Sequence, residues 1–242
     1  MSHNASLITH NKTTMDKKVT EYFFVLALNA ETGYYRVNGN YLSYGVLGAM
    51  LMDLTLSGKV DLDGKNLMIK EGSITGLPVY DKMLDIIRSS KKTRSIRYWL
   101  RKFAFKAAWY RKEMQKILVG NGTLRMERKR FLGIPYSLYF PADMPATERL
   151  ILRIKDIVLY NKQPEDHELM FLGLAYACRM HRSMSKEVHE RKKIRKALVK
   201  YIKENPLASG VSKTIMEMQA AITASVSAAV IASSSAGAAA GR

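Results

Sequence analysis

The sequence predicts a mainly α-helical fold, in which a helical bundle surrounds a hydrophobic C-terminal helix and carries two small β-hairpins. Along most of the chain, apolar residues recur three or four positions apart, the spacing of a helix that faces a core. With 242 residues, of which 47% are hydrophobic, the chain has enough apolar side chains for a buried core. Because no repeat or linker divides it, we expect one domain over 19–232 between flexible segments at 1–18 and 233–242.

Turn and cap residues separate the elements of the N-terminal half. A turn at 31–33 follows an apolar stretch, and Gly58 stops a helix, since glycine favours the left-handed conformation that ends helices. Pro78 stands where a first helical turn tolerates proline. The elements are, in order, the apolar stretch Val19–Leu28, a helix Tyr41–Leu56, a hairpin around Asp63-Gly64 and a helix Val79–Ser89.

Similar signals mark the second half of the chain. Thr93 or Ser95 caps a helix that runs from Ile96 through Phe103. The segment Phe131-Leu132-Gly133 joins two strands in a second hairpin. The remaining elements are a helix Ala107–Val119, strands Thr123–Arg130 and Ile134–Phe140, and helices from Pro145 to about Tyr160, around Glu168–His181, at Lys186–Lys203 and at Val211–Ser233.

The segment from Met218 to Gly241 carries no charged residue and is long enough to span a bilayer. It consists mainly of Ala, Ser, Thr and Gly, which give little free energy of membrane insertion. Its larger apolar residues, Ile222, Val226, Val230 and Ile231, are three to four positions apart with one adjacent pair. We therefore expect one helical face packed in a crowded helical core rather than a transmembrane helix.

The chain is strongly basic, with 39 Lys and Arg against 21 Asp and Glu and a formal net charge of +18. Fifteen of the bases lie between Arg88 and Arg130 with two acids, and ten lie between Arg179 and Lys203 with two acids. A merely solvated surface mixes charges of both signs, because like charges on one face repel each other. The clusters therefore indicate a surface that binds polyanions such as phosphates.

The second hairpin combines cations with an apolar tip. Phe131, Leu132 and Ile134 lie at the tip. An apolar tip flanked by bases suits a membrane interface, where the tip enters the acyl boundary and the bases meet lipid phosphates. The alternative is that the tip packs on the domain or on a second subunit. The bases on the strand before the tip are Arg125, Arg128, Lys129 and Arg130.

A helix followed by a basic hairpin also describes a winged-helix unit that binds nucleic acid. In that interpretation Ala107–Val119 is the recognition helix and the hairpin is the wing. Trp109 and Met114 leave only part of this helix polar, and the helix has no surplus of Asn, Gln and Arg for base edges. A scaffold for acidic protein partners is a third alternative.

The sequence contains no catalytic or metal-binding constellation, so we expect no enzyme activity, no cofactor and no metal site. His167, His181 and His189 are not at metal-ligand spacing with a cysteine or a carboxylate cluster. Cys178 lies on an apolar face, which predicts a buried structural thiol, and a single cysteine fits a reducing compartment. Residues 1–15 are polar without a signal-peptide core, which predicts a cytoplasmic location.

Several motifs, in their order and spacing, resemble the Golgi phosphoprotein 3 family over about residues 19–232. They are Glu31-Thr32-Gly33-Tyr34, Ser43–Leu54, Leu56–Val60, Ser95–Leu100, Leu118–Gly122, Phe131-Leu132 and Glu148-Arg149-Leu150. The resemblance implies a mostly α-helical peripheral membrane protein that binds phosphatidylinositol 4-phosphate. In eukaryotic members this recruits the protein to Golgi membranes, where it helps to retain glycosyltransferases, and the hairpin serves in oligomerisation and membrane contact.

The headgroup site that the resemblance implies is only partly present. The family's tryptophan falls on Asn38, and the arginine of the next helix falls on Leu47. Of two basic residues one helical turn apart, the first falls on Ala108 and the second on Arg111. One of the four positions therefore keeps its chemistry, and several charge-assisted hydrogen bonds are lost.

We therefore predict a non-catalytic protein, cytoplasmic and peripherally membrane-associated, that binds phospholipid headgroups of the phosphatidylinositol 4-phosphate type. Phe131, Leu132 and Ile134 are expected to insert into the membrane or to join a partner subunit in a homo-oligomer. Membrane-protein clients are a further class of partner that the resemblance implies. The residues expected to meet phosphates are Arg111, Lys112, Arg125, Arg128, Lys129 and Arg130.

Overall fold

The computed structural model describes residues 18–37, 39–64, 66–70, 74–204 and 220–232, and it confirms the mainly α-helical class with small antiparallel hairpins. The first elements are α1 Lys18–Ala27, α2 Gly39–Leu56, β1 Val60–Asp63, β2 Asn66–Ile69, α3 Pro78–Arg88, β3 Arg94–Ser95, α4 Ile96–Ala104 and α5 Ala107–Gly120. Next come β4 Leu124–Phe131, β5 Ile134–Pro141, α6 Met144–Tyr160, α7 Asp166–Ala177, a 3₁₀ helix Met180–Ser183 and α8 Val188–Glu204. A last helix, α9, covers 220–232. The segments 1–17 and 233–242, predicted to be flexible, and the predicted helical residues 211–219 lie outside the described residues.

The first sheet has a strand that the sequence pattern did not predict. β1 and β2 form the expected hairpin, and the two residues of β3 pair with Asn66 and Leu67. So short a strand has no alternation that could reveal it. Ser95, rather than Thr93, caps α4, because its hydroxyl accepts a hydrogen bond from the backbone N–H of Tyr98 at 3.3 Å.

The helix predicted around Glu168–His181 is shorter than expected. α7 ends at Ala177, and Arg179 adopts a left-handed backbone with φ of 55° before the 3₁₀ helix begins. A left-handed residue ends the hydrogen-bond pattern of a helix, so the prediction of one continuous helix through His181 is wrong.

Helix α2 runs through the middle of the bundle, and every residue from Gly45 to Thr55 is buried. It packs against α1, α4, α5 and α7. Two glycines allow this: a Cβ atom at Gly45 would lie 2.3 Å from the Phe23 ring, and one at Gly48 would lie 3.1 Å from both Leu174 and Ile222. Since glycine has no side chain, α1, α7 and α9 approach the backbone of α2 directly.

One face of α9 packs into this bundle. Ile222, Val226 and Val230 are buried, as predicted, but Ile231 is 67% exposed. Successive residues of a helix are about 100° apart, so the neighbour of Val230 turns toward solvent, and the prediction that Ile231 shares the buried face is wrong. Within the described part of the chain, no helix is both long and apolar enough to cross a membrane.

A buried carboxyl group on α2 holds the start of α1. Asp53 accepts hydrogen bonds from the backbone N–H groups of Val19 at 3.1 Å and Thr20 at 3.3 Å, and from the hydroxyl of Tyr80 at 2.8 Å. It thus satisfies N–H groups that have no partner within a helix. Burial raises the pKa of Asp53 to about 7, although the hydrogen bonds lower it.

The substitution Gly45→Ala should destabilise the fold by about 3 kcal/mol, because the added methyl group overlaps the Phe23 ring and the core must shift. Gly120→Ala is the matched control: no atom of the described residues lies within 4 Å of its Cβ position, and alanine should add up to about 1 kcal/mol of helix stability. Urea unfolding followed by far-UV circular dichroism measures both. Equal stability of Gly45→Ala and the wild type would contradict the close approach at α2.

The free energy of unfolding should fall as pH rises from 5 to 8, by an amount on the order of 2 kcal/mol. The folded protein holds the Asp53 proton up to about pH 7, whereas the unfolded chain releases it near the ordinary aspartate pKa of 3.8. Asp53→Asn should remove this component, and Asp63→Asn at an exposed strand position should keep it. Urea midpoints across the pH range test this; stability that rises with pH through Asp53 would show that its hydrogen bonds outweigh its burial.

Candidate functional site

The β4–β5 hairpin projects from the helical body as an arm. Its base packs on the turn before α2, where a Cβ atom at Gly33 would lie 2.8 Å from the Phe140 ring and 2.9 Å from Leu138. From Arg128 to Ser137 every residue is exposed. At about 3.4 Å per residue, the tip stands roughly 20 Å beyond the buried start of β4.

The register of the two strands gives the arm two different faces. Residues directly opposite each other in antiparallel strands share a face. Phe131 pairs with Ile134 and Lys129 pairs with Tyr136, so three apolar or aromatic side chains and one base lie together. The other face is mainly polar and carries Arg128, Arg130, Pro135 and Ser137.

The tip of the arm is a two-residue turn with an unusual first residue. Leu132 and Gly133 have φ values of 48° and 81°, the pattern of a type I′ turn. Asparagine followed by glycine is preferred there, and a leucine pays a steric cost in the left-handed conformation. Leu132 is also 87% exposed, so packing does not compensate. Phe131, expected in the turn, is the last residue of β4.

Two of the four bases on β4 share one carboxylate. Glu127 accepts a hydrogen bond from Arg125 and pairs with Lys129 at 3.3 Å, and the bond to Arg125 is the main reason that the pKa of Glu127 is lowered. Arg128 and Arg130 form no ion pair with any carboxylate of the described residues. The uncompensated charge of the arm therefore lies on the face opposite Phe131.

The two predicted bases of α5 lie apart from the exposed part of the arm. The guanidinium of Arg111 is 5.9 Å from the ring centroid of Tyr35, whose hydroxyl accepts a hydrogen bond from the Gln115 side chain at 2.7 Å. Burial raises the pKa of Tyr35, while the charge of Arg111 lowers it, so the phenol stays neutral beside the cation. Lys112 is exposed on the outer side of α5.

The four positions that the resemblance singled out do not assemble a charged pocket among the described residues. Leu47 is fully buried in α2, and Ala108 is exposed but uncharged. Asn38 lies outside the described residues, which leaves Arg111 as the cation of the set. The six predicted phosphate contacts are thus distributed, two on α5 and four along β4.

Two exposed aromatic residues near the α4–α5 junction were missed. Phe105 is 92% exposed, and Trp109, which the sequence pattern counted among the apolar residues of α5, is 42% exposed. Beside Phe105, a cavity of about 660 Å³ opens between α2 and α4. The buried residues Phe103, Tyr110 and Met114 follow the helical three-and-four spacing, and Phe105 and Trp109 do not share it. This difference in spacing is the signal that could have revealed their exposure.

The titratable groups of the described residues include no group of three or more His, Cys, Asp or Glu that could hold a metal ion. Cys178 is buried, as predicted, and burial raises the pKa of its thiol. Its sulfur lies 3.6 Å from the carbonyl oxygen of Tyr41, which joins the end of α7 to the start of α2. The thiol therefore has a structural position.

One family model matches most of the chain: the family described as Golgi phosphoprotein 3 (GPP34) matches residues 19–218. The chain belongs to the Golgi phosphoprotein 3 family. The predicted family is thus confirmed over nearly the same residues. Membership supports a Golgi-associated, non-catalytic protein, and it places α1, α2, α5 and the arm inside the matched region.

Replacing Leu132 by asparagine should stabilise the arm by about 1 kcal/mol, because asparagine tolerates the left-handed backbone that leucine does not. Hydrogen exchange of the β4 and β5 amides should slow by about fivefold. Ser137→Asn, on the straight part of β5, should bring no such protection. Faster exchange in Leu132→Asn would mean that the leucine stabilises the turn through contacts of its own.

Proposed function

We propose that this protein is a non-catalytic peripheral membrane protein that binds anionic phospholipid headgroups through the β4–β5 arm. The observation that carries the proposal is the exposed apolar tip, which stands clear of the helical body and follows the cations of β4. Exposed apolar area is unfavourable in water and is relieved when it enters the boundary between headgroups and acyl chains.

The turn at the tip supports this proposal. A leucine occupies a left-handed, exposed position where asparagine would be more stable. Local rules of sequence and structure are most often broken where function requires it. An exposed apolar side chain at this turn gains free energy when it leaves water for the membrane interface.

The charges of the arm lie at the depth that such an insertion requires. Arg130 and Lys129 precede Phe131 by one and two residues, which is about 3–7 Å along the strand. When the tip reaches the acyl boundary, both bases therefore stand among the lipid phosphates. Each base near an anionic surface contributes about 1 kcal/mol, within a screening length of about 8 Å at physiological salt.

The finer proposal concerns the headgroup. We propose that Arg111 and Lys112 contact a phosphoinositide of the phosphatidylinositol 4-phosphate type once the arm has docked. Arg111 is suited to this because Tyr35 holds its guanidinium at the base of the arm. Arg111→Gln should reduce binding to vesicles with this lipid more than binding to phosphatidylserine vesicles of equal charge. Lys116→Gln, also on α5, is the control of equal charge change.

The double substitution of Phe131 and Leu132 by serine should weaken binding to anionic vesicles by about tenfold or more, since it removes most of the apolar area that inserts. Both side chains are exposed, so the fold should keep its stability within about 0.5 kcal/mol. Vesicle co-sedimentation measures the loss. In the wild type, binding should also weaken steeply between 0.1 M and 0.5 M salt.

Leu152→Ser is the matched control, because Leu152 is an exposed apolar residue on α6, away from the arm. It should leave vesicle binding unchanged. Leu132→Asn separates the role of the tip from folding, because it should weaken binding while the arm becomes more stable. Unchanged binding in the double variant would sink the insertion proposal. A changed oligomer mass by light scattering would instead assign the tip to contact between subunits.

Nucleic-acid binding is a second candidate, favoured by the exposure of Trp109 beside Lys112 on α5. An exposed aromatic ring next to a lysine side chain can stack on an unpaired nucleotide. Fluorescence anisotropy with single-stranded and duplex DNA distinguishes it from membrane binding. The serine substitutions at the tip should barely affect DNA binding, whereas Trp109→Ala should reduce it.

A further inference from the structure

A second candidate site lies near the second basic cluster of the sequence, Arg179 to Lys203. Five elements converge there around a cavity of about 210 Å³. No residue of the arm contributes to its lining. The side chains that give the cavity its chemistry come from α2, α7, the 3₁₀ helix and the residue before it, α8 and α9. They are Tyr41, Tyr176, Arg179, His181, Arg195 and Ser227.

Among the described residues, the charged side chains that line this cavity are all basic. The pKa of His181 is lowered to about 4, first by burial and then by the guanidiniums of Arg182, Arg195, Arg179 and Arg191, in that order. Because these cations surround one imidazole, they repel each other and keep the imidazole neutral at pH 7. A bound anion would offset the repulsion.

No carboxylate of the described residues compensates this charge. The nearest acidic side chain along α8, Glu190, is engaged elsewhere: it pairs with Lys155 at 2.7 Å and accepts a hydrogen bond from Ser185 at 2.6 Å. Arg179 and Arg195 make no ion pair within the described part of the chain. Charge therefore remains available in the cavity for a ligand.

Arg179 is held in place by an unusual backbone. Its φ of 55° is left-handed, a conformation that glycine adopts far more readily at the end of a helix. The conformation directs the guanidinium over the ring of Tyr41, at 5.5 Å from the ring centroid. A strained position occupied by an arginine motivates the hypothesis that its side chain has a role there.

The donors of the cavity match one chemical group. Guanidinium, phenol, hydroxyl and imidazole groups all donate hydrogen bonds, and the planar fork of arginine fits the oxygens of a phosphate. The volume equals that of about seven water molecules at roughly 30 Å³ each, enough for a phosphate and a small organic part. We propose that this cavity binds a phosphate monoester, with Arg179 and Arg195 as the phosphate-binding residues. Soluble phosphorylated compounds and lipid headgroups such as phosphatidic acid both present this group.

The test uses the full chain and isothermal titration with inorganic phosphate and glycerol 3-phosphate, at constant ionic strength. Sulfate and chloride serve as comparison anions. The wild type should prefer the two phosphates, and Arg179→Gly should weaken glycerol 3-phosphate binding by about tenfold or more. Glycine accepts the left-handed backbone, so this variant keeps its fold while it loses the guanidinium. Arg195→Gln should have a similar effect.

Lys196→Gln is the matched control, because it removes one positive charge at an exposed position next to Arg195. It should change the affinity less than twofold. Wild-type affinity in both arginine variants, or an equal loss in Lys196→Gln, overturns the proposal, since either result would mean that any surface cation serves.

A spectroscopic readout reports the anion directly. A phosphate next to His181 favours the imidazolium, so the pKa of His181 should rise from about 4 by one unit or more when glycerol 3-phosphate saturates the protein. Proton NMR follows the ring signal, which His181→Gln assigns. An unchanged titration of His181 at saturating ligand would place the bound phosphate elsewhere.

Vesicles distinguish the source of the monoester. Phosphatidic acid vesicles are compared with phosphatidylserine vesicles of equal surface charge. A preference for phosphatidic acid that Arg179→Gly abolishes assigns the site to a lipid headgroup. Soluble binding without such a preference assigns it to a soluble compound. The titration with soluble phosphates is independent of the arm, because no residue of the arm lines this cavity, so its failure is distinguishable from a failure of membrane docking.

Discussion

Burial of α2 on every side is the constraint on which the rest of the fold depends. It requires that neighbouring helices touch the backbone itself, and Gly45 and Gly48 leave the space for α1, α7 and α9 to do so. The same helix carries Asp53, which holds the first N–H groups of α1. Close packing transmits small changes, because a filled interior has no spare volume. Neighbouring elements are therefore positioned relative to α2.

The enclosure of α2 also explains why the basic side chains of the surrounding helices lie on the protein surface. The helices around it give their apolar faces to the core, so α4, α5 and α8 turn their bases outward. A net charge of +18 on such a shell is destabilising unless anions accompany it. The two anion-binding surfaces proposed above lie on this shell, one around the arm and one between α7 and α8.

These surfaces differ in their physical design. The arm offers an apolar tip and exposed bases along β4, which suits an extended interface. The cavity at Arg179 is recessed and ringed by aromatic and hydroxyl groups, which suits a discrete ligand. Both contain a residue other than glycine or asparagine in a left-handed backbone, Leu132 in one and Arg179 in the other. In each case the backbone favours glycine or asparagine, so the reason for the residue found there is the proposed role of its side chain.

The sequence by itself determined most of the elements and the family. Three-and-four spacing, a cap at Thr93 or Ser95 and the turn around Gly133 are local signals, because a helix or hairpin responds to residues a few positions away. Only the tertiary structure decided what covers each face. The pairing of β3, the exposure of Trp109 and the meeting of Tyr41 with Arg195 depend on which distant segments pack together. A periodic pattern shows that a helix has an apolar face, but it does not say which neighbour covers that face.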